Sequence, residues 1–130
     1  MADAATKNKK ILVIEDEVAL LQVLVDKLTR EGFAVTSARD GSMGLDLALR
    51  EKPDVILLDL VMPEMTGLDV LKRLRSEGEW GKEVPVIVLT NLSANERLMR
   101  ELNEQKLTDF LVKGEVKLEE VVRKVKEAAA

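Results

Sequence analysis

The sequence contains no cysteine and no histidine, and its aromatic residues amount to two phenylalanines and one tryptophan. Without cysteine, the chain has no disulfide, no thiolate zinc site and no thiol nucleophile. Without histidine, it lacks the commonest general base and metal ligand, and it cannot carry a phosphohistidine. The scarcity of aromatic rings argues against a surface that stacks nucleic-acid bases. Any chemistry must therefore use carboxylates, hydroxyls and lysines.

A long apolar run and a strong excess of one charge are also missing. The first ten residues contain no apolar stretch long enough for a signal peptide or a membrane span, so we expect a cytoplasmic protein without membrane attachment. The 20 basic and 24 acidic residues give a net charge of -4, which argues against direct nucleic-acid binding. With 130 residues, the chain is about one domain long. We predict a flexible N-terminal tail at 1–9, one domain at 10–128 and no output domain.

Short apolar segments alternate with longer segments of helical periodicity along the chain. Five short runs are predicted to be strands, namely residues 11–14, 33–38, 55–58, 86–89 and 110–112. Between and after them, apolar residues recur at three- and four-residue steps, which predicts five helices. Continuous apolar strands that alternate with amphipathic helices are typical of a parallel sheet covered on both faces. The sequence therefore predicts a doubly wound α/β fold.

Glycine and proline indicate where the predicted helices end. Gly32 follows the first helix, Lys52 and Pro53 follow the second, and the third is expected to end near Gly78. The last two helices are predicted at about residues 93–105 and 116–128.

Polar residues directly follow four of the five apolar runs. They are Glu15 and Asp16 after the first run, Asp59 after the third, Thr90 after the fourth and Lys113 after the fifth. In an open parallel sheet, the ligand site lies at the carboxyl ends of the strands. We therefore predict that three carboxylates, a hydroxyl and an ammonium group meet at one edge of the sheet.

Carboxylates that are crowded together repel one another, and a hard divalent cation is the usual means of keeping them ionised. Mg²⁺ suits this set because it binds few carboxylates, keeps several waters and accepts phosphate oxygens. Asp59, on the middle strand, is then the candidate nucleophile toward phosphorus. Lys113 and the cation would neutralise the phosphoryl oxygens, and Thr90 would offer a hydrogen bond.

Each of these residues also has an ordinary structural interpretation. Asp16 could cap the helix that follows, and Asp59 could be a turn residue. Thr90 could simply end a strand, and Lys113 could be a surface lysine. Chance would have to place suitable groups after four of five strands, so the joint placement favours a site.

Four segments of the chain resemble the receiver domain of two-component response regulators in their order and spacing. They are LVIEDE, VILLDLVMPEMTGLDVLKRLR, PVIVLTN and FLVKG. The similarity extends from about residue 10 to residue 128, and LLDLVMPEMTG is its most specific part. The resemblance implies a flavodoxin-like receiver fold with strand order 2-1-3-4-5.

The resemblance also implies a phosphorylation site. Asp59 corresponds to the phosphoacceptor of the family. Glu15, Asp16, Asp59 and the backbone carbonyl of Val61 correspond to its Mg²⁺ ligands, with Glu15 acting through water. The phosphoryl donor would be a sensor histidine kinase or a phosphotransfer protein.

A conformational switch is the third implication of the resemblance. Thr90 and Lys113 match the family's switch hydroxyl and phosphate-pairing lysine, and Phe110 matches its rotating aromatic. Phosphorylation would draw the hydroxyl inward, and the aromatic ring would follow. This population shift would change the surface formed by the fourth predicted helix, the fifth strand and the fifth predicted helix. The downstream partner is unknown, and the protein would be regulatory rather than an enzyme.

The charged residues of the fourth predicted helix leave the oligomeric state open. Arg97, Arg100, Glu101 and Glu104 could form a dimer or partner face, or they could simply face water. We expect a monomer or a weak homodimer through the switch surface.

Four positions depart from the family pattern. Gly114 follows Lys113 where proline is usual, so the cis peptide often found there in the family is not assumed. Asn91 replaces a small residue, which predicts slow reaction with small phosphodonors. Val61 and Leu92 cannot orient a hydrolytic water, which predicts a slowly decaying phosphorylated state.

Other functions were weighed against this interpretation. An aspartate-nucleophile phosphohydrolase would present its motifs in a different order and would need a cap domain to enclose a substrate. A flavin-binding module would need glycines or hydroxyls after the first strand, where the chain has EDEVAL. A receiver that only docks and is never phosphorylated, or an engineered receiver, remains an alternative.

Overall fold

The computed structural model describes residues 7–93 and 95–130, so residues 1–6 of the predicted tail lie outside the described residues. Five strands alternate with helices in the order expected from the sequence. The strands are β1 (Lys10–Ile14), β2 (Ala34–Ala38), β3 (Val55–Leu58), β4 (Val86–Thr90) and β5 (Asp109–Val112). The helices are α1 (Val18–Arg30), α2 (Gly41–Glu51), α3 (Gly67–Arg75), α4 (Gly78–Glu83), α5 (Glu96–Glu104) and α6 (Leu118–Ala129). The predicted α/β class is confirmed.

All strand pairs are parallel, and the sheet has the order β2-β1-β3-β4-β5. Val13 pairs with Leu57, Leu57 with Ile87, and Ile87 with Asp109, so the four strands run in register across the sheet. The predicted strand order 2-1-3-4-5 is confirmed. Because the strands are parallel, all their carboxyl ends lie at the same edge.

Alternate side chains of each strand enter two separate cores, one on each face of the sheet. On one face, strand residues such as Leu12 and Ile56 pack against α2, α3 and Leu102 of α5. On the other face, strand residues such as Val13 and Leu57 pack against α1 and α6. Full burial of such a side chain contributes about 1.5–3 kcal/mol. The doubly wound arrangement therefore explains why the strands are apolar at consecutive positions.

The structure contains one short helix that the sequence analysis did not predict. The third helix ends at Arg75 rather than near Gly78, and Gly78 instead begins the six-residue helix α4 with a φ of 75°. The described chain thus has six helices instead of five. Six residues are too few to show a helical period, and α4 depends on tertiary contacts. The indole Nε1 of Trp80 donates to the carbonyl of Pro53 at 3.1 Å, and the Arg75 guanidinium donates to Gly81.

The other helix ends agree with their sequence signals to within a few residues. Gly32 follows α1 with a φ of 100°, and Lys52 ends α2 in the left-handed conformation. The helix α5 begins at Glu96, three residues later than predicted, because Asn95 caps it by accepting from the amide of Leu98. The described part of the chain has no cis peptide. None of its helices is both long enough and apolar enough to cross a bilayer.

Candidate functional site

The carboxyl ends of four strands bring the predicted polar residues to one edge of the sheet. The backbone amide of Asp59 donates to the carbonyl of Ile14 at 3.0 Å, which fixes Asp59 beside the end of β1. The amide of Lys113 donates to the carbonyl of Thr90 at 2.8 Å, which fixes Lys113 beside the end of β4. The sheet ladder therefore continues one residue beyond the strands and holds the site backbone in place.

Three carboxylates form the centre of this edge. Each of Glu15, Asp16 and Asp59 places a carboxylate oxygen within 4.8 Å of the other two. Glu15 and Asp59 are buried, with 2% and 4% of their surface exposed, whereas Asp16 is exposed. The cluster thus has two buried members and one that faces solvent.

The side chain of Lys113 supplies the positive charge of the cluster. Its Nζ lies 2.8 Å from Glu15 Oε1 and 3.3 Å from Asp59 Oδ2. The shorter contact is to Glu15, so the lysine bridges the two buried carboxylates rather than pairing with Asp59 alone. One ammonium does not balance three carboxylates, and the cluster keeps a surplus of negative charge.

The surroundings of Glu15 and Lys113 shift the pKa of both groups. Burial raises the pKa of Glu15, and the charge of Asp59 adds to this rise, while the contact with Lys113 opposes it. For Lys113, burial lowers the pKa, but the hydrogen bond to Glu15 and the charge of Asp59 outweigh it, so the pKa is raised. Lys113 therefore stays protonated at neutral pH.

Backbone amides satisfy one oxygen of each buried carboxylate. Glu15 Oε2 accepts from the amide of Glu17 at 3.0 Å, and Asp59 Oδ1 accepts from the amide of Val61 at 3.3 Å. The N-cap of α1 is Glu17, and its side chain makes no capping bond. Asp16 is therefore not a helix cap, and its carboxylate forms no hydrogen bond or ion pair with any residue that the structure describes.

The two predicted switch residues, Thr90 and Phe110, differ in their surroundings. Thr90 is fully buried at the end of β4, and its Oγ1 accepts from the amide of Leu92 at 3.4 Å. Phe110, on β5, is half-buried and packs against the core that contains α2 and α3. Their switching roles stay predictions.

A cleft opens from solvent onto the cluster. Its walls are Asp16, Glu17, Asp59, Val61, Asn91, Leu92 and Lys113. Val61 and Leu92 are apolar yet exposed, at 53% and 42%, and they flank the entrance. Sequence analysis did not single out Glu17, which acts through its backbone amide, and a backbone contact of this kind has no side-chain signature. The cleft gives an incoming group direct access to Asp59.

The donor set fits a hard divalent cation. Oxygen ligands, a surplus of negative charge and an exposed carboxylate without a partner are the features that such an ion requires. Glu15 is held by Lys113 at 2.8 Å and by the amide of Glu17 at 3.0 Å. The corresponding contacts of Asp59 are both 3.3 Å, and Asp16 has neither among the described residues, so Asp16 and then Asp59 have the most freedom to act as direct ligands. This arrangement agrees with an indirect role for Glu15.

Residues 11–126 match the family model for the response regulator receiver domain. The chain belongs to the receiver domain family of two-component response regulators, which act in signal transduction. This membership favours a receiver over the phosphohydrolase and flavin-module alternatives.

Curated relatives agree with this family. The chain is 43% identical over 86 residues to a probable transcriptional regulatory protein, TcrX, of Mycobacterium tuberculosis, covering 66% of this chain and 36% of TcrX. It is 35% identical over 130 residues to the probable transcriptional regulator ycf27 of Porphyridium aerugineum, covering 95% of this chain and 52% of ycf27. The chain thus spans about a third to a half of the length of these relatives.

Solved structures of other receiver domains share the fold. The receiver domain of the Francisella response regulator 1452 has a TM-score of 0.83 and 30% identity, with 94% of this chain and 97% of that chain covered. The chemotaxis response regulator CheY4 of Vibrio cholerae has a TM-score of 0.84 and 28% identity, with 94% and 99% covered.

Proposed function

We propose that this receiver accepts a phosphoryl group on Asp59, in the presence of Mg²⁺, and signals through the resulting change of shape. One observation carries the proposal. The buried carboxylate of Asp59 lies at the floor of an open cleft, with the Lys113 ammonium 3.3 Å away and two further carboxylates beside it. A histidine kinase or phosphotransfer protein would supply the phosphoryl group, because receiver domains interact with such proteins.

The transfer uses Asp59 and Lys113, which line the cleft, and Thr90, which is buried at the end of β4. An oxygen of Asp59 forms a bond to phosphorus, and the bond from phosphorus to the donor's nitrogen or oxygen breaks. The leaving group keeps the electron pair and takes a proton from solvent. Lys113 then pairs with the phosphoryl oxygens, and the Thr90 hydroxyl donates to them. The protein itself is regulatory, and its only reaction is the gain and loss of its own phosphoryl group.

The side chains of Glu15, Asp16 and Asp59, with the backbone carbonyl of Val61, would hold the Mg²⁺. When bound, the ion neutralises charge on the phosphoryl oxygens, which a cluster with surplus negative charge would otherwise repel. Asp16 contributes an unpaired carboxylate at the mouth of the cleft. Its exposure lets the ion enter without unfolding of the site.

The signal would leave through the surface of α5, β5 and α6. Thr90 moves toward the phosphoryl group, Phe110 follows, and the packing of α5 changes for a protein partner. The same surface would support a weak homodimer or leave a monomer. We further propose a cytoplasmic protein with a receiver domain at 10–128 and no direct contact with nucleic acid.

Intact-protein mass spectrometry tests the phosphoacceptor. The protein is incubated with Mg²⁺ and either acetyl phosphate or phosphoramidate, beside Asp59→Asn as the matched variant. We expect one addition of about 80 Da that hydroxylamine removes and that the variant lacks. If Asn91→Ala reacts where the wild type does not, Asn91 blocks small donors. If neither reacts, and a panel of histidine kinases also fails, the docking-only alternative is favoured.

We also propose that the phosphorylated state decays slowly. Val61 and Leu92 line the cleft beside Asp59, and neither apolar side chain can hold a water for attack on phosphorus. Decay of the added mass after removal of the donor gives the lifetime. Val61→Asn places a polar group at the cleft and should shorten it, whereas Val23→Asn, at an exposed position of α1, should not. Rapid decay of the wild type would contradict the proposal.

A further inference from the structure

Arg75 makes the most extensive set of side-chain hydrogen bonds among the described residues. It is the last residue of α3, and its guanidinium donates to four backbone carbonyls. Two belong to the end of α4, with Gly81 and Val84 each accepting from Nη1 at 2.8 Å. The other two follow α5, with Gln105 accepting from Nε at 2.7 Å and Lys106 from Nη2 at 3.3 Å. Arg75 therefore joins the α3–α4 corner to the C-terminal end of α5.

The chemistry of this contact requires arginine. All four acceptors are neutral carbonyl oxygens at chain turns, which no helix or strand ladder satisfies. Burial lowers the pKa of Arg75, and the charge of Glu83 opposes this, but a guanidinium stays protonated in proteins. Its planar fork presents donors in two directions at once, whereas the ammonium of lysine is a single point. A second link between the two segments is the exposed ion pair of Lys106 Nζ with Glu83 Oε1 at 3.5 Å, so Arg75 is their half-buried connection and not their only one.

The rest of α5 is attached by apolar packing alone among the described residues. Leu102 is its only fully buried residue, and it lies in the same C-terminal turn that Arg75 holds. Leu98 and Met99 are half-buried and pack against the core that contains α2 and α3. In the first turn, the side chain of Asn95 bonds only to the amide of Leu98 within the helix, and no described residue of that turn bonds to another element.

The two ends of α5 therefore differ in their attachment and in their surroundings. The C-terminal end is bonded to Arg75, and none of its residues lines the cleft over Asp59. The N-terminal end follows the segment of Asn91 and Leu92, which lines the cleft above Asp59. A helix that is hydrogen-bonded to its neighbours at one end and attached only by apolar packing at the other moves by rotating about the bonded end rather than by sliding along its axis.

We propose that Arg75 is the pivot of α5. It holds the C-terminal end of the helix to the α3–α4 corner, so that a change at the cleft swings the N-terminal end and leaves the C-terminal end in place. Arg75 is thus a positioning residue for the output surface. The swing of the N-terminal end of α5 rests on the proposed phosphorylation of Asp59, whereas the attachment of its C-terminal end by Arg75 does not.

Amide hydrogen exchange of the unphosphorylated protein, measured by NMR, tests the attachment. Arg75→Gln should raise exchange of the amides at 101–107 at least tenfold, while the amides of β1 and β3 keep their protection. Arg75→Lys should give an intermediate increase in exchange. This conservative variant still tests the attachment if Arg75→Gln fails to fold. Arg73→Gln, which changes an exposed arginine on the same helix, is the control and should change nothing. Unchanged exchange at 101–107 in a folded Arg75→Gln protein, or equal loss of protection throughout, would overturn the proposal.

A second measurement tests the pivot. Beryllofluoride with Mg²⁺, a mimic of the phosphoryl group, is added to each protein. In the wild type, exchange should change at 96–100 and stay within twofold at 101–107, whereas in Arg75→Gln the change should spread to both halves. A wild-type response that extends equally through 101–107 would refute the pivot. If no region of any protein responds, the proposed phosphorylation is in doubt, while the attachment is still judged by the first measurement.

Discussion

Neutralising Asp16 should stabilise the metal-free protein and remove its response to Mg²⁺. Asp16 lies within 4.8 Å of both Glu15 and Asp59 and has no positive partner among the described residues. Two like charges 4.8 Å apart repel by about 3.5 kcal/mol at an effective dielectric constant of about 20, and by about 0.9 kcal/mol in water. Because Asp16 is exposed, the energies of its repulsion from Glu15 and from Asp59 lie toward the value in water. We expect Asp16→Asn to raise the free energy of unfolding by about 1–3 kcal/mol in EDTA.

Addition of Mg²⁺ should reverse the order of stability. An ion that binds only the folded protein stabilises it by about 2.7 kcal/mol when its free concentration is 100 times its Kd. The wild type should gain this stability, whereas Asp16→Asn, which lacks a direct ligand, should gain little. Urea unfolding with EDTA and with Mg²⁺ measures both effects.

Asp26→Asn provides the matched control for this experiment. Asp26 is exposed on α1 and accepts from Gln22 at 2.9 Å, away from the cluster, and asparagine can still accept there. This control should change neither stability nor the Mg²⁺ response. If Asp16→Asn destabilises the metal-free protein, or keeps the full Mg²⁺ response, the electrostatic account of the cluster is wrong.

Three further predictions concern packing and pH. Gly67→Ala should lower the free energy of unfolding by about 1–3 kcal/mol or more, because a Cβ there would lie 2.3 Å from the backbone oxygen of Asp59. Gly114→Ala, whose Cβ would meet no other atom, should change the free energy of unfolding by no more than about 0.5 kcal/mol in the same urea assay. Leu102→Ala should cost about 2–5 kcal/mol by urea unfolding, since this side chain is fully buried. The hydrogen-bonded ion pair with Lys126 lowers the pKa of Glu31. The contribution of this pair to the free energy of unfolding is therefore present above the unfolded pKa of Glu31 and is lost as pH falls through the lower folded pKa. Lys126→Met should flatten the dependence of stability on pH across that acidic range, and an unchanged profile would contradict this.

Much of the fold was predictable because buried parallel strands leave a strong local pattern. Runs such as Val55–Leu58 are apolar at consecutive positions since both faces of the sheet are covered, and amphipathic helices must separate them. The polar residues directly after the strands were predictable for the same reason. A parallel sheet places all its carboxyl ends at one edge, so Glu15, Asp59 and Lys113 had to lie close together.

The sequence alone did not predict features that depend on distant contacts. The helix α4 has a single large apolar side chain, Trp80, and its position depends on the carbonyl of Pro53, 27 positions away in the chain. The N-cap of α1 is Glu17 and not Asp16, a choice made by backbone dihedral angles and not by residue type. Local patterns carry no information on such choices, because several residues satisfy them equally well.

The sequence by itself therefore determined the class of fold, the parallel sheet and the set of residues at its carboxyl edge, because burial periodicity and the alternation of strands with helices are local patterns. Only the tertiary structure decided how those residues share their charges. It placed Lys113 closer to Glu15 than to Asp59, left Asp16 without a hydrogen-bonding or charged partner among the residues described, and bonded Arg75 both to nearby α4 and to Gln105, 30 residues away. These contacts depend on the distances between side chains on different elements, and such distances exist only once the elements have packed.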